Sequence, residues 1–103
     1  MLSMEKDKFL KFLGLCKKSG KLISGDYSVE KSIFNNRTKL LIIAEDSSAD
    51  KVQKYTQLSS SYNIELITCL SKEELGCAIG RNVCAIIGIT DINQKNKLLS
   101  LYQ

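Results

Sequence analysis

Apolar residues recur along this chain in two alternating rhythms. From Glu5 to Lys18, Phe9, Phe12, Leu13 and Cys16 keep the i, i+3, i+4, i+7 spacing of one helical face, with Lys8, Lys11 and Lys18 away from it. Gly20 supplies the stop that commonly follows a helix, and Leu22 and Ile23 predict a very short strand leading into a turn at Ser24 and Gly25. A second helix is expected from Asp26 to Asn35, with Val29 and Ile33 inward and Ser28, Lys31 and Ser32 facing outward or toward the helix start. Asn35-Asn36 ends it, because asparagine tolerates the left-handed backbone of a helix terminus. Leu40 to Ala44 is a continuous apolar run with β-branched residues, the pattern of a buried strand.

The rhythm continues in the second half. Ser47 or Ser48 is placed to cap a third helix reaching about Ser60, with Val52, Tyr55 and Leu58 inward. Ile64 to Cys69 predicts another strand. Ser71-Lys72-Glu73-Glu74 fits the capping box, a serine cap with glutamate three positions on. The short fourth helix carries Leu75, Ala78 and Ile79 on one side and stops at Gly80. Val83 to Ile89 predicts a last strand, and after Thr90-Asp91 a final helix turns Leu98, Leu99 and Tyr102 inward. Strands alternating with helices at this spacing predict an α/β chain: a three-layer α/β/α sandwich around a small, mostly parallel sheet. No composition break divides residues 1–103, so a single domain is expected. Ligands of such sheets gather at one end, where loops and helix starts converge. The start of the second helix and the Gly80 to Asn82 loop are the candidates.

Composition narrows the chemistry. The 103 residues are 44% hydrophobic and 25% charged, with a net charge of +4 and a pI near 8.9. That balance favours an anionic partner weakly. Histidine is absent, so neither a Ser/His/Asp nor a Cys/His arrangement can be assembled, and no Walker-type loop or dinucleotide fingerprint is present. Asp91 and the Glu45-Asp46 pair are expected in turns and caps rather than catalysis. Cys16, Cys69, Cys77 and Cys84 show no C-x-x-C spacing, and each falls in an apolar pattern, so all four are expected to be buried hydrophobes rather than metal ligands. No cofactor is expected. The N-terminus is too polar for a signal peptide and no apolar run spans a bilayer, which makes a cytoplasmic location the expectation.

Charge is concentrated in one stretch. Residues 17–39 hold six of the 15 Lys and Arg residues: Lys17, Lys18, Lys21, Lys31, Arg37 and Lys39. A helix start offers unpaired N–H groups and the positive end of the helix dipole, and so suits an anion such as phosphate. Lys21 lies just before the expected start at Ser24 to Asp26, and Lys31 lies inside the helix. Ser24 and Asp26 are also candidate caps. The plain alternative for Lys31 is a solvated lysine paired with Glu30 or Asp26; for Lys17, Lys18 and Lys21 it is a solvated helix end; for Tyr27 it is a core-edge tyrosine.

Three blocks carry a resemblance: L-G-L-C-K-K-S-G-K-L-I-S-G from Leu13 to Gly25, T-K-L-L-I-I-A-E-D from Thr38 to Asp46, and S-K-E-E-L-G-C-A-I-G from Ser71 to Gly80. In this order the chain resembles the L7Ae/L30e ribosomal protein family, in particular its small stand-alone bacterial members. The resemblance implies the α/β/α sandwich and binding of kink-turns, sharply bent RNA elements with sheared G·A pairs. In the strongest binders of that family a Gly-x-Asn-Glu-x-x-Lys pattern opens the second helix. Gly25 and Lys31 match the Gly and the Lys, whereas Tyr27 stands at the Asn and Ser28 at the Glu. A glutamate accepts from guanine N–H donors with a full charge, and serine offers a shorter, neutral hydroxyl. Tyr27 can compensate by stacking on an unpaired base. The family's second contact is the loop after the fourth helix, here Gly80-Arg81-Asn82-Val83.

The resemblance therefore implies an RNA-binding protein and not an enzyme, with ribosomal RNA as the expected partner and ribosomal proteins as a further class. No small-molecule substrate is expected. The implied RNA-binding residues are Lys17, Lys18, Lys21, Gly25, Asp26, Tyr27, Ser28, Lys31, Arg81 and Asn82. The alternative is a protein-interaction module that docks on the translation machinery without reading RNA.

Overall fold

A computed structural model describes residues 5–103; the first four residues, part of the polar N-terminus considered above, lie outside it. The elements in chain order are α1 (Lys6–Lys18), β1 (Leu22–Ser24), α2 (Asp26–Phe34), β2 (Leu40–Ile43), α3 (Ala49–Ser61), β3 (Glu65–Thr68), α4 (Lys72–Ala78), β4 (Ile86–Ile89) and α5 (Ile92–Tyr102). Three expected caps form. Ser48 accepts from the Lys51 N–H at 3.3 Å, Asp91 accepts from the Gln94 N–H at 2.9 Å, and Ser71 and Glu74 exchange two 3.0 Å bonds as a capping box. Asp46 lies in the turn expected of it and accepts from the Lys72 N–H at the head of α4 at 2.9 Å.

The sheet order is β1-β4-β2-β3. Its pairings correct the expectation of a mostly parallel sheet. Only β2 and β3 pair in parallel, while β4, inserted between β1 and β2, is antiparallel to both. The reversal comes after α4. The chain doubles back there: the Cys84 N–H donates to the Lys72 carbonyl at 2.9 Å, and β4 starts beside the end of β2, with Ile86 opposite Ile43. For the same reason residues 83–85, expected in the strand, precede it. Val83 is exposed and its backbone lies against Gly76 of α4.

Strand periodicity distributes the core over both faces of the sheet. Leu40 and Ile42 of β2, with Ile87 and Ile89 of β4, pack under Phe9, Leu13 and Cys16 of α1, Leu75 of α4, and Leu98 and Leu101 of α5. Leu41, Ile43 and Ile86 pack under Val29 and Ile33 of α2 and Tyr55 of α3. The three layers are thus α1/α4/α5, sheet, and α2/α3. Within the second layer a buried hydrogen bond of 2.7 Å between the Ser32 and Thr38 hydroxyls ties α2 to the segment before β2.

Cys16, Cys69 and Cys84 are buried as expected, and Cys77 is not; it sits exposed on α4. Burial pushes the Cys16 thiol up to about 11 and the Cys69 thiol up to about 12, which leaves both un-ionised at neutral pH. Among the described residues no group of His, Cys, Asp or Glu is arranged to hold a metal ion, and no helix is long and apolar enough to cross a membrane.

Candidate nucleic-acid interface

The carboxyl ends of β1, β2 and β3 lie at one end of the sheet, with the starts of α2, α3 and α4 and the loop entering β4. Gly25 occupies the N-cap of α2 at φ +91°, ψ 151°, a backbone conformation that an L side chain adopts only with strain. Its N–H donates to the Ile86 carbonyl at 3.3 Å, which tethers the turn to β4. Having no side chain, Gly25 cannot accept from the first turn, and α2 starts without a side-chain cap. The first N–H groups of α2 therefore have no side-chain cap, and the one acid of the first turn, Asp26, is bonded to α3 instead.

Arg81 lies over this start. A Cβ built on Gly25 would sit 3.8 Å from Arg81 Nη1, with nothing nearer. The loop that carries Arg81 is held from behind: Gly80 takes φ +82°, and the Arg81 N–H donates to the Gly76 carbonyl at 2.8 Å. The structure thus brings together two segments that lie more than fifty residues apart in the chain. Asn82 follows Arg81 and is exposed.

Along α2 from this point runs a groove. Tyr27, Ser28 and Lys31 form one wall; Gly20, Ile23 and Thr90, at the free edge of β1, form the other. Tyr27 is 79% exposed, so its ring is a surface feature and not part of the core edge. Lys31 makes no ion pair among the described residues. The pairing proposed as its plain alternative is pre-empted, because Glu30 binds Lys54 and Asp26 binds Lys51. Asn35 and Arg37 also line the groove and were absent from the candidates. Arg37 lies in the basic stretch of the sequence, but after the expected end of the helix, where periodicity assigns no direction.

The other candidates are placed apart from this centre. Lys17 and Lys18, with Gly14 and Leu15, line a hollow between α1 and the end of α4 that reaches Gly80, so they border the Arg81 loop from the α1 side. Lys21 lies at the opposite end of β1 from Gly25, where its carbonyl accepts from the Thr90 N–H at 2.9 Å and from the Thr90 hydroxyl at 3.2 Å.

Asp26 has a structural engagement. Its carboxylate accepts from Lys51 Nζ and from the Tyr55 hydroxyl of α3, each at 2.7 Å, and makes no cap on its own helix. Lys51 foremost, then Tyr55, holds the Asp26 carboxyl below the usual carboxylate range, while burial and Asp26 push the Tyr55 phenol up. A depressed carboxyl stabilises the fold above its unfolded value near pH ~4, and the contribution fades as pH falls through the folded value. Tyr55→Phe, which removes only the buried hydroxyl, is expected to lower stability by about 1 kcal/mol at neutral pH. Thermal unfolding of both proteins across pH checks this, and the gap should narrow below about pH 4 as Asp26 protonates.

The chain is similar in sequence and in fold to proteins already known. Residues 7–99 fit the model of the ribosomal protein L7Ae/L30e/S12e/Gadd45 family. The RNA-binding protein YlxQ of Bacillus subtilis is 35% identical over 89 residues, 86% of this chain and 89% of that protein. The large ribosomal subunit protein eL8 of Thermoplasma volcanium is 30% identical over 82 residues, 79% of this chain and 68% of that protein. A solved structure of a Bacillus halodurans protein of unknown function superimposes with a TM-score of 0.88 at 29% identity, covering 92% of this chain and 96% of that one.

Proposed function

Since the chain belongs to the ribosomal protein L7Ae/L30e/S12e/Gadd45 family, we propose that it binds structured RNA at the start of α2, as a cytoplasmic binding protein without catalytic activity. The observation that carries this is the uncapped start of α2 with Arg81 above Gly25 and an unpaired Lys31 about one and a half turns further along. An RNA phosphate at the bare N–H groups meets both the helix dipole and the Arg81 guanidinium. Gly25 lets the backbone come close, and Lys31 reaches from the helix into the groove of a bent element. Ser28 gives a neutral hydroxyl where a carboxylate would bind guanine, and Tyr27 offers a ring to an unpaired base. The target in this reading is a kink-turn-like element of ribosomal RNA. Support comes from the name of the archaeal relative, a ribosomal protein, and from that of the Bacillus relative, an RNA-binding protein.

Lys17 and Lys18, bordering the Arg81 loop, and Lys21, at the far end of β1, neutralise phosphates flanking this centre, and the side chain of Asp26 stays with α3. About four phosphate contacts give an affinity that falls by roughly 100-fold between about 50 and about 200 mM salt. Calorimetric titration of a kink-turn RNA at several salt concentrations measures that slope. A slope near zero, or no binding at the lowest salt, would contradict the proposal and favour a protein-docking module.

A further inference from the structure

The outer face of α2 extends the surface proposed at the helix start: it shares Tyr27 and Lys31 with that surface and adds Phe34. Tyr27, Lys31 and Phe34 succeed one another at i, i+4 and i+7 and so line up along one side of the helix. Together with Glu30 and Asn35 they form a shallow hollow. Phe34 is 52% exposed and lies against Tyr62 at the end of α3, with ring centroids 6.0 Å apart and planes tilted by 51°. Tyr62 is itself 38% exposed, and neither ring belongs to a core cluster.

Solubility alone would place polar side chains here, because two rings left half in water forgo most of the gain from burying them. The charge around them also selects a ligand. Glu30 is the one acid of the hollow and is already bound to Lys54, whereas Lys31 is free between the two aromatic positions. A ring, a cation and a second ring along one line match the repeat of base, phosphate and base in a single strand.

We infer that unpaired nucleotides adjoining the bent RNA element run along this face of α2, with a base stacked on Phe34 and a phosphate at Lys31. Tyr62 braces Phe34 from α3 and holds its ring in place. Recognition by ring faces tolerates any base, so the site adds affinity without adding sequence preference. The inference rests on the proposed RNA binding but concerns nucleotides outside the bent element.

Two RNAs separate the two: a blunt kink-turn hairpin and the same hairpin with a short unpaired adenosine tail, tested with the tail at either end. Wild type is expected to bind one tailed RNA about 10-fold more tightly than the blunt one. Phe34→Ala should erase that gain and leave blunt binding unchanged; Phe34→Trp should keep it. Thermal unfolding of each variant confirms the fold, which a half-exposed ring does not support. A tail that adds nothing in wild type would overturn the inference, leave the proposed function standing, and give the ring pair to a protein surface. A gain that survives Phe34→Ala would also overturn it. Failure to bind either RNA would contradict both proposals.

Discussion

Lys31→Glu is expected to weaken RNA binding by about 100-fold and to leave the fold intact. A hydrogen bond from a charged group contributes about 1.5–3 kcal/mol, and each 1.4 kcal/mol is about tenfold in affinity. Removing the ammonium accounts for about one factor of ten, and placing a carboxylate beside phosphate adds the second. The fold has little stake in Lys31, which is exposed and makes no ion pair among the described residues. A carboxylate near the carboxyl end of α2 opposes the helix dipole by at most about 1 kcal/mol. Lys31→Arg should retain most of the affinity, and Lys31→Ala should fall between. Titration against a kink-turn RNA, beside thermal unfolding of each variant, measures both halves of the expectation.

Gly76→Ala is the larger structural perturbation. A Cβ at Gly76 would lie 2.7 to 2.8 Å from the N, Cα and C atoms of Val83. Those are backbone atoms and cannot swing aside as the tip of a side chain can. Alanine gains about 1 kcal/mol over glycine in a helix, but such overpacking costs about 3 kcal/mol, so the clash wins. The net loss of about 2 kcal/mol corresponds to a Tm lower by roughly 10 °C for a domain of this size. Function should suffer as well. The Gly76 carbonyl accepts from the Arg81 N–H, so pushing residues 80–84 outward displaces the guanidinium from Gly25. RNA affinity measured well below the new Tm should therefore fall by about 10-fold, the share of one charged contact.

The reasons for Gly76 also show what a sequence conceals. The glycine is visible as a weak helix former inside the apolar pattern of α4, yet its need becomes clear only when Val83 is seen lying on it. Local signals were legible: Leu40 to Ala44 declares a buried strand by its continuity, and Ser71 with Glu74 declares a helix start by mutual hydrogen bonding. Strand direction was not, because a period of two is the same read either way, and direction here depends on how residues 83 and 84 fold back on α4. Partners distant in sequence were hidden too. Asp26 meets Lys51 and Tyr55, 25 and 29 positions away, so the role of its carboxylate as a strut to α3 is not visible at the head of α2. Lys31, Tyr27 and Gly25 could be singled out from the helix-start pattern and the family resemblance. Arg37 and the Phe34–Tyr62 pair could not: Arg37 lies past the helix end, where periodicity assigns no direction, and Tyr62 meets Phe34 only through tertiary packing.

Two RNAs decide whether the start of α2 recognises bent RNA through Lys31. The most direct measurement titrates wild type and Lys31→Glu with a kink-turn RNA and with a straight duplex of equal length, at one low and one moderate salt concentration. Wild type is expected to prefer the bent RNA at both concentrations, and Lys31→Glu to abolish the preference. Equal, salt-sensitive binding of wild type to both RNAs would contradict that expectation, leaving a protein that grips phosphates without reading the bend.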